Sequence, residues 1–338
     1  MEEFVFSEDY EEDKLLLFEF PSEELLKEVL EGKTKIEFVS NVVDPLVLCT
    51  ENKTYDILEF DTSNLLLVHD DGTVLSGNSS TFELREKAPP FLSIRRMLHD
   101  NPITEAEIKG QLIENPNYVQ ELQNTTLCSI GELNQILIDL CAITVDGAVK
   151  TPTKNMENLI IDQILQYSRT LNDWKRINID DCLKEVVIPL IDYQPMKDIY
   201  YAVIKYYSFE IEERVAILDE KKIIRHIAEF IFRKARNGFL RKSEFEEEMS
   251  EYMPENTKID YDMLHGMFVT KLSGIQFVDE EALPISLLDR FEALFKIHDE
   301  WEIPEIEPFF EYFVTDSLPF QDLAARHCRF ADGKWMRR

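Results

Sequence analysis

The sequence predicts an α+β chain, with a small β-barrel-like domain over residues 1–90 and then a mostly helical array of winged-helix units. Three observations predict it. Before Pro89-Pro90 the apolar runs are short and separated by turn residues; after it they recur at helical spacing. Three times in the later part, helical stretches are followed by a short strand-like segment, the helix-plus-hairpin pattern of a winged helix. The hydrophobic fraction of 44% and aromatic fraction of 11% suffice for folded cores, and 338 residues accommodate two or three domains.

Within residues 1–90, Leu15 to Phe20 forms a short apolar run. Ser22 then caps a helix with Glu23 and Glu24 in its first turn; Leu25, Leu26, Val29 and Leu30 are its buried stripe, and Gly32 stops it. Strands are expected at Ile36–Val39 and Leu46–Cys49. Tyr55–Phe60 and Leu65–Val68 read as a hairpin turning at Asp61-Thr62-Ser63-Asn64, because those side chains bond readily to nearby backbone. Asp70-Asp71-Gly72 ends the second strand.

The helical part divides into units at 91–222, 223–283 and 284–338. In the first, Ser129–Glu132 is a capping box opening a helix with Leu133, Ile136, Leu137, Leu140 and Cys141 on one face. Ile143–Val145 and Ala148–Lys150 flank Asp146-Gly147, a type I′ hairpin signal. Helices over residues 155–222 connect it to the second unit, and Tyr200, Tyr201, Tyr206 and Tyr207 there read as packing residues. The second unit begins with the Ile223, Ile224, Ile227, Ile231 stripe. A capping box at Ser243–Glu246, a helix around Met263, Leu264, Met267 and Phe268, and a strand at Ile275–Val278 follow. In the third, Leu287, Leu288, Phe291, Leu294 and Phe295 mark one helix, Pro304 opens another, and Phe320, Leu323 and Ala324 mark a last one. A wing follows, turning at Asp332-Gly333.

Charge narrows the function classes. There are 36 basic and 66 acidic residues, net −30, which excludes coating nucleic acid by bulk charge or polybasic membrane binding. No apolar run approaches a membrane span, and Met1-Glu2-Glu3 is acidic where a signal peptide is basic, so a soluble intracellular protein is expected. Five cysteines without a CxxC pair predict neither disulfides nor zinc. Gly32-Lys33-Thr34 has Lys27 where a phosphate loop needs its first glycine. Six scattered histidines, and the absence of GxGxxG, GxSxG and HExxH, leave no catalytic constellation, metal site or cofactor. An enzyme is not expected.

Two basic clusters stand against the acidic background. Arg233, Lys234, Arg236, Arg241 and Lys242 lie within ten residues containing no acid. They serve either as counter-charges or as phosphate contacts. The last sixteen residues carry five bases, Arg326, Arg329, Lys334, Arg337 and Arg338, against one acid. On a final helix and wing they suit weak, sequence-neutral DNA contact, with Trp335 either stacking on a base or pinning the wing to its own core.

Lys53-Thr54-Tyr55-Asp56 followed by Asp61-Thr62-Ser63-Asn64-Leu65-Leu66-Leu67 resembles the signature of the DCC family of sister-chromatid cohesion proteins. Arg290–Phe295, Glu300-Trp301, Glu305–Pro308 and the terminal Arg337-Arg338 are similar to that family's final domain, in the same order. The resemblance implies a nuclear, non-catalytic subunit of an alternative replication factor C clamp loader acting on PCNA. The N-terminal domain would join a small partner subunit and the large subunit, on the replication factor C small subunits. The C-terminal half would bind DNA and the catalytic subunit of DNA polymerase epsilon. Residues 53–56 and 61–64 would then lie in the partner-binding domain, where they are expected to shape the hairpin. The competing reading is a winged-helix adaptor in a transcription or proteolytic scaffold.

Overall fold

The computed structural model describes residues 5–113, 115–253, 257 and 259–338; the Met1-Glu2-Glu3 leader lies outside them. The chain divides into two units. One comprises residues up to Pro90 with Gln120–Leu133 and Thr315–Ser317, and the other holds the remainder.

The first unit is built on β1 (Val5–Glu12), β2 (Phe18–Glu19), α1 (Glu23–Leu30), β3 (Glu37–Val39), β4 (Val47–Cys49), β5 (Thr54–Asp70) and β6 (Thr73–Lys87). The sheet runs β1-β6-β5-β4-β3, with β2 also on β6. It is open, with β1 and β3 at its ends, so the expected barrel-like closure is corrected to an open sheet. The expected turn at Asp61–Asn64 is also corrected. β5 runs through those residues, and Asp61 faces Ser80 while Leu66 faces Asn78, so Thr62–Leu65 bulge opposite Ser79. The Thr62 hydroxyl lies 2.6 Å from the Asn64 carbonyl and 3.0 Å from that of Ser79. The Thr62 side chain thus satisfies the backbone of a bulge rather than of a turn. The reversal occurs at Asp71 (φ 45°) and Gly72 (φ 77°), where both residues are left-handed as a type I′ turn requires. Helix α1 is capped by Ser22, whose Oγ accepts from Leu25 N at 3.2 Å, yet none of its stripe is buried.

The unit's core is small. Val39, Val47 and Cys49 pack with Leu127, and Leu48, Tyr55 and Leu84 form a second cluster. Segment 120–133 is held by a polar network. Thr54 Oγ1 donates to Glu132 at 2.5 Å and accepts from Ser129 N at 2.8 Å, while the Ser129 hydroxyl donates to Glu132 at 2.7 Å. This contains the expected Ser129–Glu132 capping box.

After Pro90 the chain continues with α2 (Phe91–His99), α3 (Glu105–Ile108), β7 (Asn117–Tyr118), α4 (Val119–Thr126), α5 (Ile130–Asp139), β8 (Ile143–Val145) and β9 (Ala148–Lys150); α4 from Gln120 onward and the start of α5 up to Leu133 belong to the first unit, the rest to the second. Next come α6 (Lys154–Ser168), β10 (Arg176–Asn178), α7 (Ile179–Glu185), α8 (Gln194–Tyr206), β11 (Ser208–Glu212) and β12 (Val215–Leu218). Then follow α9 (Glu220–Lys234), β13 (Phe239–Leu240), α10 (Lys242–Tyr252), β14 (Phe268–Lys271) and β15 (Gly274–Phe277). The chain ends with α11 (Leu287–Ile297), β16 (Glu300–Glu302), α12 (Ile303–Ile306), α13 (Phe320–His327), β17 (Cys328–Ala331) and β18 (Lys334–Arg337).

These strands form four three-stranded sheets of one design: β7-β9-β8, β10-β12-β11, β13-β15-β14 and β16-β18-β17. In each, a hairpin places its second strand centrally and an earlier strand completes the sheet. The segment expected as connecting helices therefore contains a sheet of its own. Two local expectations are corrected. The helix around Met263–Phe268 is a 3-10 turn at Tyr261–Leu264, and Phe268 already belongs to β14. The capping box near residue 243 sits earlier, with Glu244 accepting from Arg241 N at 3.2 Å.

The cores follow the apolar stripes. Ile223, Ile224, Ile227 and Ile231 of α9 join Tyr200, Tyr207 and the face of α6 in one cluster. Phe291, Leu294, Phe309, Phe310, Trp301 and Trp335 form another. Arg290 is fully buried beside it. Its guanidinium donates to Glu280 at 2.8 Å, to the Phe309 carbonyl at 2.8 Å and to the Pro284 carbonyl at 3.0 Å. Glu280 also accepts from Arg95 at 2.6 Å. Lys150 and Glu107 form a second buried pair at 3.0 Å.

Candidate interaction surfaces

The described residues contain no group of side chains arranged to hold a metal ion. All five cysteines are free and buried. Burial pushes the Cys128 and Cys328 thiols up to about 11, and raises Cys141 well above its ordinary range, so none is poised as a thiolate. Gly32-Lys33-Thr34 follows α1 instead of opening a helix. Gly32 takes φ 70°, Lys33 pairs with Glu31 at 2.6 Å and the Thr34 hydroxyl donates to Glu28 at 2.8 Å. That is helix-end chemistry, without the forward-pointing amides that cradle a phosphate.

One cavity of about 670 Å³ in the second unit is lined partly by Lys154, Glu157, Tyr207, His226 and Glu229. Its polar groups engage one another. Lys154 is 3.5 Å from Glu157, Tyr207 donates to Glu157 at 3.1 Å, and His226 bridges Tyr207 and Asp162 at 3.3 Å each.

The signature residues of the first unit are tied internally. Lys53 bridges Glu86 and Asp316, both at 2.7 Å, and these partners hold its ammonium well above the usual lysine range. Thr54 and Tyr55 are buried, and Asp56 pairs with Lys87 at 3.0 Å. Asp61, Thr62, Ser63 and Asn64 shape the bulge described above. Among the first unit's exposed acids, several large apolar side chains also face outward. Phe60, Leu65, Leu66 and Leu67 on β5, Val5 and Phe6 on β1, Leu30 on α1, and Val42 and Val43 are all exposed. Sequence reading assigned part of this set to the core, because alternation does not reveal whether a face is covered within the same chain.

The first basic cluster is largely engaged. Arg233 pairs with Glu229 at 2.8 Å and Asp279 at 3.2 Å. Lys234 sits 3.8 Å from the Phe230 ring and donates to the Tyr252 hydroxyl at 2.8 Å, and Lys242 lies 4.3 Å from the Tyr261 ring. Arg241 reaches Glu244 only at 3.9 Å, and Arg236 is exposed in a 3-10 turn. Distant acids and local rings, unseen in a linear count, supply the partners.

The terminal cluster is more open. Arg326 and Arg337 are exposed without an ion-pair partner among the described residues. Arg329 has only the Met336 sulfur at 3.9 Å, and Lys334 reaches Glu300 at 3.5 Å. Arg338 donates to the Arg326 and Ala325 carbonyls at 3.1 and 3.0 Å, covering the end of α13. Trp335 is buried against Phe320 and Phe330, so it pins the sheet. Arg326, Arg329 and Arg337 thus remain without an ion-pair partner among the described residues, on one small sheet and helix.

A family model for the sister chromatid cohesion protein Dcc1 matches residues 15–310, nearly the whole chain. The chain belongs to the Dcc1 family. The sister chromatid cohesion protein DCC1 of Danio rerio is 26% identical over 339 residues, covering 91% of this chain and 84% of the relative. The probable DCC1 of Dictyostelium discoideum is 23% identical, covering 90% and 87%. That of Homo sapiens is 24% identical, covering 78% and 73%. In this Dcc1-family chain the match includes the β5 bulge, the first three of the four three-stranded sheets and Arg290, and ends before β17 and β18.

Proposed function

We propose that this chain acts in sister-chromatid cohesion as a non-catalytic, nuclear subunit of an alternative replication factor C clamp loader, helping to load or unload PCNA. The observation that carries the reading is the first unit's imbalance. A few buried side chains stand against many exposed apolar ones on an open sheet, which favours completion by other chains. In this reading the occupants are the small partner subunit and the large subunit, which connect it to the replication factor C small subunits.

The four repeated sheets are read as winged-helix wings, and the second unit as the arm that reaches DNA and the catalytic subunit of DNA polymerase epsilon. The unpaired cations at Arg326, Arg329 and Arg337, with Lys334 held only by Glu300 at 3.5 Å, support sequence-neutral phosphate contact there. Linking two weak contacts raises overall affinity by about 10²–10⁴, so tethering needs no catalytic group.

The test is affinity purification of the tagged full chain from replicating cells, followed by mass spectrometry. Recovery of replication factor C small subunits with an alternative large subunit is expected; recovery of a transcription or degradation complex instead refutes the assignment. Arg326→Glu with Arg337→Glu is expected to weaken duplex binding at low salt while leaving that recovery unchanged.

A further inference from the structure

The four sheets of the second unit share one strand order, so their outer hairpin strands occupy equivalent positions. β8, β14 and β17 are three or four residues long, and each contains a buried residue. β11 differs. It has five residues, Ser208-Phe209-Glu210-Ile211-Glu212, and none is buried. Phe209 is 80% exposed and Ile211 is 42% exposed. Glu210 and Glu212 flank Ile211, and the register shifts between Ser208 and Glu210, which places Phe209 at a bulge; Glu210, Glu212 and the following Glu213 have no ion-pair partner among the described residues.

The backbone is presented as well. β11 has β12 on one side and no strand on the other. Glu212 pairs with Val215 across a two-residue turn, which directs the N–H and C=O of Ile211 away from β12. The turn residues Glu213 and Arg214 are left-handed, at φ 43° and 78°. The equivalent turns at Asp146-Gly147 and Asp332-Gly333 use glycine for this conformation. Here two charged side chains occupy a strained turn beside an uncovered edge.

We propose that β11 is a docking edge for an extended segment of a partner protein in which basic and apolar residues alternate, added as a fourth strand. Apolar side chains would lie beside Ile211, with exposed Phe209 at the bulge as a further apolar contact, and lysines or arginines beside Glu210 and Glu212 on the other face. A second copy of this chain does not fit. Residues directly opposite in an antiparallel pair share a face, so self-pairing sets Glu210 against itself or against Glu212. Nucleic acid does not fit either, because three acids meet it. The complementary occupant is cationic and strand-forming.

The test uses the full chain and a labelled peptide, Lys-Val-Lys-Val-Lys-Val-Lys, in an anisotropy titration at about 0.15 M salt. Saturable binding is expected, weakened about tenfold or more by Phe209→Ser with Ile211→Ser. Glu210→Lys with Glu212→Lys is expected to transfer the preference to Glu-Val-Glu-Val-Glu-Val-Glu. All four positions are exposed, and matching melting curves verify the fold. The charge-swapped pair reads a gain that misfolding does not produce. Absence of binding overturns the proposal. So does equal binding of Lys-Pro-Lys-Pro-Lys-Pro-Lys, or indifference to all four substitutions, since either means general attraction to an acidic chain. Self-association abolished by Phe209→Ser also overturns it, in favour of a second copy.

Discussion

Replacing Glu280 by Gln removes one charge from a cluster that holds three. Arg290 is completely buried, and burial draws its guanidinium below the usual arginine range. Its charge is balanced by Glu280 at 2.8 Å, with the Phe309 and Pro284 carbonyls as further acceptors. Arg95 leans on the same carboxylate at 2.6 Å. Without that carboxylate, two guanidiniums share a neutral amide. Breaking a buried pair by removing one partner costs about 3–5 kcal/mol. The Glu280 side chain is 27% exposed, so water compensates in part and the lower end, about 3 kcal/mol, is expected. With a denaturant slope of about 1–3 kcal/mol per molar urea, the transition midpoint falls by roughly 1 M or more. Trp301 and Trp335 lie in the core cluster beside Arg290, so intrinsic fluorescence reports this transition. Adding Arg290→Met removes the fully buried cation and returns the cluster to its natural net charge of one positive, carried by Arg95, and the double variant is expected to lose less than the two single losses added together. A Glu280→Gln loss below about 1 kcal/mol, the range of an exposed pair, refutes the reasoning.

Gly131→Ala is expected to destabilise the first unit by about 1–3 kcal/mol, because its new methyl group meets the Glu51 carbonyl at 2.6 Å; thermal melting reads it, and an unchanged melt contradicts the close approach. Burial raises the Glu107 carboxyl, but the Thr104 amide, Lys150 and the Thr104 hydroxyl outweigh it and leave the group below its ordinary value of 4.5. Its stabilisation is therefore full above that value and lost as pH falls through the lowered one. The melting difference between the natural chain and Glu107→Gln should stay flat from neutral pH downward and shrink below about 4.5, and a difference that grows on acidification reverses the sign. Glu213→Asn with Arg214→Gly relieves two left-handed residues and should raise stability by about 1 kcal/mol in the same assay, with no gain counting against strain at this turn.

Legibility followed local chemistry. The Asp146-Gly147 and Asp332-Gly333 hairpins, the Ser22 cap and the Ser129–Glu132 box were readable because each is fixed within a few residues. The β11–β12 hairpin was not readable, since Glu213-Arg214 carries no glycine or asparagine to announce its turn. β1 escaped for a related reason: its acid-rich Ser7–Glu12 lacks the apolar alternation of a strand, and it pairs in parallel with distant β6. Asp61–Asn64 misled because side chains that bond to backbone serve bulges as well as turns. The terminal cations were visible as a composition shift. The aromatic neighbours of Lys234 and Lys242 depend on packing between segments, and so does the exposure of the β5 leucines.

The first unit is assembled from stretches ending at residues 90, 133 and 317, and Lys53 meets Asp316 at a separation of 263 residues. During synthesis, its sheet strands emerge long before Leu127, Glu132 and Asp316 do. At about 5–20 residues per second, Lys53 waits roughly 10–50 s for its last partner. Through that interval the nascent sheet presents apolar strands that nothing later in the chain has yet met, which makes it a natural client for ribosome-associated chaperones. A fragment stopped at residue 90 lacks Leu127, Glu132 and Asp316, so it keeps that surface permanently and is expected to aggregate rather than to form a smaller domain.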